Sequence, residues 1–296
     1  MATILDKPVD SEQAPAPTKR NRKHTSVLDG LTYLVLTISS LLVLVPFLLS
    51  FMTSLKSSQQ FASQPATTLP SPVTSDSYVA LFQGSYGFGR SIVVTALVSG
   101  VIVVGQVGFS ILAAYAFARL EFPGRNALFW AYLSTLMVPG VVTMIPLYLL
   151  LTETGMRNTF WALVLPFVFG SPYAIFLLRQ HFLSIPTDLT SAARLDGAGH
   201  LRILWHVVIP ISKPIIATLT VITVVTHWNS FMWPLIITSG SKWQVITVAT
   251  ANLQSQYNGN WTLVMAATTI AIVPLLALFV VFHKNIVSSL TIKGFN

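Results

Sequence analysis

Charged residues are sparse along this chain, and the intervals between them are long and apolar. No Asp, Glu, Lys or Arg falls within Gly30–Leu55, Ser91–Ala118, Asn126–Thr152, Asn158–Leu178 or Pro214–Ser241. A sixth interval, Trp243–His283, is polar in its first part and apolar in its second, which places a helix at about Leu263–Phe282. A helix needs about 20 residues to cross a hydrocarbon core ~30 Å thick, and each interval supplies them. None alternates with the period of two that a barrel strand requires. The pattern predicts an all-α membrane protein with six transmembrane helices.

Composition agrees. The chain is 53% hydrophobic and 9% charged, against roughly 25% charged in a soluble domain. The net charge of +8 raises the question of nucleic acid, but the chain has neither a basic face nor a nucleic-acid motif. The bases are instead sided. On alternate sides of six spans, thirteen of the seventeen Lys and Arg fall on one side, while Lys56, Arg90, Arg157 and Lys242 fall on the other. The rich side is cytoplasmic by the positive-inside rule, which puts both termini in the cytoplasm. Residues 1–29 read as a polar, disordered cytoplasmic tail and 30–296 as the membrane domain. The first apolar run is too long for the core of a cleavable signal. With no cysteine, disulfides and thiolate metal sites are excluded.

The stretch Arg179–Lys213 carries too many charges to be a seventh span. Pro186 and Thr187 lead into Asp188, a good N-cap, and then to a compact helix with Leu189, Ala192, Ala193 and Leu195 that Gly197 can end. A second amphipathic piece runs from Leu201 to about Val208, before Pro210 and Pro214 open the next span. Paired alanines let such a helix lie closely in a groove of another protein, and Arg194 and Asp196 give it polar handles. Lying on lipid headgroups is the other reading.

The string from Ser191 to Pro210, SAARLDGAGHLRILWHVVIP, resembles the EAA motif of bacterial carbohydrate ABC-importer permeases of the maltose type. Ala192, Ala193, Gly197 and Pro210 match in register, and Asp196 and Ala198 match the D-G-A of the sugar branch. Val207 and Ile209 are conservative replacements. Ser191 stands where the motif has Glu. AAYAFARLEFPGRN, MVPGVVTMIPLYLLL, FLLRQHFLSIPTDL and WNSFMWPL are similar to the same family in order and spacing. The resemblance centres on 91–284, with the coupling segment at 183–210. It implies the type I ABC importer fold, in a multi-pass protein of the bacterial cytoplasmic membrane that moves an oligosaccharide or related sugar by alternating access. It also implies four kinds of contact: a second homologous permease, two ATPase domains that hold the ATP and Mg, an extracytoplasmic solute-binding protein, and the lipid bilayer. Ser191, Ala192, Ala193, Arg194, Asp196, Gly197 and Ala198 would couple to the ATPase. Gln254, Gln256, Tyr257 and Asn258, in the outer segment Ser239–Thr262, would meet the binding protein. Close relatives of the family carry glycerol phosphates and polyols, which remain an alternative solute class.

Polar residues inside the spans are candidates for the translocation pathway. They are His227, Asn229, Ser230 and Gln106. An interhelical hydrogen bond is the plainer reading and is preferred for His227. No P-loop, G-x-S-x-G or H-E-x-x-H string occurs. The chain is therefore expected to bind no cofactor or metal and to carry no catalytic site, with ATP hydrolysis on a separate subunit. An ion-coupled secondary transporter is disfavoured because the spans contain no Asp or Glu.

Overall fold

The computed structural model describes residues 26–83, 86–255 and 260–290. Among them every regular element is helical and none is a strand. The chain divides into two units, Met1–Leu48 and Leu49–Asn296. In the first, α1 (Ser26–Ser54) begins inside the expected tail, so residues 26–29 are helical rather than disordered. From Leu31 to Leu48 its large apolar side chains are exposed, the surface a span presents to lipid.

The second unit continues with two short helices, α2 (Ser58–Ser63) and α3 (Asp76–Gln83). The central element is α4 (Phe88–Arg119), 32 residues with a buried face running from Phe88 to Ala118. After it come α5 (Arg125–Ser134), α6 (Gly140–Glu153), α7 (Phe160–Val164), α8 (Pro172–Ser184) and α9 (Thr187–Leu195). The chain then forms α10 (His200–Ile203), a π turn over Leu204–Val208, α11 (Ile209–Ile211) and α12 (Lys213–Trp228). It closes with α13 (Met232–Ile237), α14 (Ile246–Ser255) and α15 (Trp261–Leu290).

Three stretches are long and apolar enough to cross a membrane alone, Asp29–Ser54, Phe88–Arg119 and Trp261–His283. Two more qualify when bent pairs are joined: Arg125–Met137 with Gly140–Glu153 across 97°, and His200–Ile211 with Lys213–Trp228 across 82°. The described helices thus give three to five candidate crossings where six are expected. The breaks have local causes. Val138 precedes Pro139 and is extended, at φ −84° and ψ 116°, because the proline ring excludes the helical conformation before it. Pro146, in contrast, lies within α6. The fourth interval splits into α7 and α8 across Pro166 and Gly170. Pro210 has no N–H to give the fourth carbonyl back, and the Ile209 N–H reaches five residues back to Leu204 O. The fifth interval ends as a long helix at Trp228, and Met232–Ile237 is a separate turn.

Small residues hold α4 against its neighbours. Ala114 and Ala118 of α4 share a buried cluster with Ala174, Leu178 and Phe182 of α8. At Gly105 a Cβ would stand 2.6 Å from the Val168 carbonyl oxygen, and at Gly170 one would stand 3.1 Å from the Ser110 nitrogen. The Ser110 hydroxyl accepts the Ser171 N–H at 3.2 Å. In lipid, close approach and satisfied backbone bonds do the work that water exclusion does elsewhere.

Candidate functional site

α9 is set on this packed base by its two ends. Ile185, before Pro186, is extended, and Pro186 at φ −54° starts the helix. Asp188, the expected N-cap, instead occupies the second helical position, and no side chain caps the start. Its carboxylate still favours the positive end of the helix dipole. At the other end Gly197 is left-handed, at φ +76°. The Gly197 N–H donates to Arg194 O at 2.9 Å and the Ala198 N–H to Ala193 O at 2.9 Å. This is a Schellman motif, and it requires a residue without the left-handed penalty at its turning point.

The helix faces follow. Thr190 is buried, and Ala193 and Ala198 are half-buried against the α4–α8 cluster. Ser191, Ala192, Arg194, Asp196 and Gly197 are exposed. Leu195, one of the apolar residues of this helix, is 90% exposed. An apolar side chain left so open among charged neighbours is what a docking surface offers.

The pathway candidates are only partly brought together. His227 Nε2 lies 3.1 Å from Gln106 Oε1, joining α12 to α4. The His227 ring also packs 5.5 Å from that of Phe167. Next to this bond is a cavity of only about 10 Å³, lined by Thr95, Ser99, His227, Ser230 and apolar neighbours. Asn229 is exposed, and its amide donates to Val225 O at 2.9 Å, away from that cavity.

The opposite end of α4 carries the candidate outer surface. Lys56 is 1% exposed. Its ammonium donates to Pro65 O, Ala66 O and Thr68 Oγ1 at 3.3, 2.9 and 3.2 Å, filling all three donors. Gln60 Nε2 donates to Leu69 O at 2.8 Å and its Oε1 accepts the Ser71 N–H at 3.0 Å. Ser77 ties α3 to Thr262 at 3.0 Å. The segment Ser239–Thr262, expected as polar loop, contains α14, whose Ile246, Val248, Ala249 and Leu253 are buried. Its Gln, Asn and Gly content masked that apolar face. Gln254 is exposed at the end of α14, while Gln256, Tyr257 and Asn258 lie outside the described residues.

Sequence reasoning used Arg119, Arg125 and Arg179 only as topology charges. All three donate to backbone carbonyls at the end of α4 that faces α9. A basic residue in the last turn of α4 was the available signal. Gly105 was also missed, since a lone glycine in an apolar run does not announce its neighbour. Among the described residues no group of His, Asp or Glu is placed to hold a metal ion.

Apolar helices long enough to span a bilayer, with no strand among the described residues and an exposed polar helix on a packed base, define a helical membrane protein. The chain belongs to the family of binding-protein-dependent transport system inner membrane components, whose model matches residues 106–292. It is similar to the arabinooligosaccharides transport system permease protein AraQ of Halalkalibacterium halodurans, with 30% identity over 92% of this chain and 98% of that one. It is similar also to the sn-glycerol-3-phosphate transport system permease protein UgpE of Yersinia enterocolitica, with 32% identity over 89% and 96% of the two chains. The Rhizobium meliloti UgpE likewise shows 32% identity, over 87% and 94%. In fold, it matches a chain of a bacterial ABC transporter involved in the import of the acidic polysaccharide alginate, with a TM-score of 0.78, 24% identity and coverage of 92% and 99%. The family is a transport component of the inner membrane rather than a catalytic one.

Proposed function

We propose that this chain is one half of the membrane pore of an ATP-driven importer for an oligosaccharide or related sugar. Alternating access carries the solute inward. A second, homologous permease completes the pore. Two ATPase domains hold ATP and Mg on the cytoplasmic side, and one of them receives α9 through Ser191, Ala192, Ala193, Arg194, Asp196, Gly197 and Ala198. An extracytoplasmic solute-binding protein meets the outer surface around Gln254, Gln256, Tyr257 and Asn258. Six crossings result when α5–α6, α7–α8 and α10–α12 each count as one span, with both termini in the cytoplasm.

The observation that carries this reading is α9 itself, a capped helix with Leu195 left 90% exposed within a chain of this family. The lining near His227 offers hydroxyls and an imidazole and no cationic side chain, a polarity that favours a neutral solute over an anionic one, while its volume of about 10 Å³ is closed to any sugar until the spans rearrange. Glycerol phosphate is the second reading, favoured by the 32% identity to the UgpE relatives. The test is purification from the native host in mild detergent, identification of the chains that co-purify, and uptake in proteoliposomes. Arabinotriose and sn-glycerol 3-phosphate are offered in turn. Co-purification of an ATPase and a second permease, with ATP-dependent uptake of arabinotriose, is the expected result. Uptake of glycerol phosphate alone would select the second reading. Transport by this chain alone under an ion gradient without ATP would overturn both.

A further inference from the structure

Helix C-termini leave carbonyl groups without helical partners. At the α9 end of the bundle, α4 and α8 satisfy each other's. Arg119, the last residue of α4, donates through Nη2 to Phe182 O at 2.6 Å and to Ile185 O at 2.5 Å. In return Arg179 of α8 donates through Nε to Phe117 O of α4 at 3.3 Å. The Arg179 guanidinium also lies 4.2 Å from the centroid of the Phe129 ring on α5. Arg125 Nη1 donates to Leu120 O at 2.9 Å and holds the turn between α4 and α5. Arg119 and Arg179 sit beside the carbonyl ends of α4 and α8, where helix dipoles favour positive charge, and neither pairs with a carboxylate among the described residues.

Ile185 gives the arrangement its direction. It lies between the end of α8 and Pro186, from which α9 springs. Arg119 therefore grips the base of α9, not merely the helix before it. At 1.5 Å per residue, about 20 Å along α4 from Arg119 lies Gln106, the partner of His227 on α12. Displacing α9 thus pulls on α4 through two hydrogen bonds from one guanidinium nitrogen. Lysine keeps the charge, but its compact ammonium on a flexible stem lacks the rigid plane that fixes the direction of these bonds.

We propose that Arg119 and Arg179 form a reciprocal clasp that makes α4 and the α8–α9 junction move as one body, with Arg119 as the positioning residue for coupling. This rests on the reading of α9 as the ATPase-docking helix. A merely structural role would lower assembly but leave the transport obtained per ATP unchanged, so that ratio is the deciding readout.

The experiment uses the complete transporter in proteoliposomes, with its binding protein loaded with arabinotriose, or with sn-glycerol 3-phosphate if the uptake assay selects it. Arg119→Gln, Arg119→Lys and Arg179→Lys are compared for assembly, ATP hydrolysis and uptake per ATP hydrolysed. Arg119→Gln is expected to assemble and hydrolyse ATP. It should lose stimulation by the loaded binding protein, and uptake per ATP should fall roughly tenfold, within the usual range for coupled sites. Arg119→Lys and Arg179→Lys should be intermediate. An unchanged ratio in assembled Arg119→Gln overturns the proposal. So does failure of both Arg119 variants to assemble, which assigns the residue to folding alone. Ser191→Trp tests the underlying reading separately. If it leaves ATPase assembly and stimulated hydrolysis intact, α9 is not the docking helix, whatever the Arg119 variants show.

Discussion

Gly105 and Gly100 both lie on α4, and their surroundings set opposite expectations for the same substitution. No atom stands within 4 Å of a Cβ at Gly100, whereas a Cβ at Gly105 meets the Val168 backbone. Gly100→Ala should gain up to about 1 kcal/mol of helix propensity. Gly105→Ala should lose about 1–3 kcal/mol through overpacking, because a backbone carbonyl gives way less readily than a side chain. Thermal unfolding of the purified complex compares the two, and equal shifts would refute the close approach. The His227–Gln106 bond is testable in the same way. His227→Leu and Gln106→Leu should each destabilise, and the double variant should recover a coupling energy of about 0.6 kcal/mol, the common value for polar pairs between membrane helices. Strict additivity would show that the bond carries no energy.

At the scale of the element, α9 depends on its C-terminal cap. Gly197 has open space where a side chain would go, so the obstacle to substitution is backbone conformation alone. A left-handed residue with a Cβ costs about 1–2 kcal/mol, and a β-branched one is a true outlier. Gly197→Val is therefore expected to insert and assemble normally while uptake falls at least roughly tenfold, because the lost cap tilts the docking surface. Transport assays set against the amount of inserted protein check this, and normal uptake would remove the coupling role of the segment. Deleting Gln254–Gly259, from the last residues of α14 onward, tests the other end. Binding-protein-dependent uptake should vanish, and its survival would withdraw Gln254 and its neighbours from that interface.

For the whole molecule, the sidedness argued from charge leads to a labelling experiment that a chain without cysteine makes clean. In intact spheroplasts a membrane-impermeant maleimide should modify Lys242→Cys, and should reach Asp196→Cys only after permeabilisation. The reverse pattern would invert the topology. Much of the fold is legible in the sequence because lipid imposes a simple rule, that long uncharged runs become helices. α1, α4 and α15 follow it. The rule falls short where proline and glycine break a run, as at Pro139 and Pro166, because hydropathy measures solvent preference and not backbone continuity. The end of α9 was legible because Gly197 has a stereochemical meaning of its own. Arg119 and Arg179 were not, because their acceptors are carbonyls some sixty residues away, and every residue has a carbonyl.

The enclosure of Lys56 has a practical consequence for chemical footprinting. Acylating reagents attack free amines that they can reach, and the Lys56 amine is shut in by three oxygen atoms. Of the two lysines assigned to the outer side, Lys242 stands exposed and should take the whole of the external modification. Lys56 would then act as a built-in reporter whose acylation begins only when the segment from Ser57 to Thr74 comes apart.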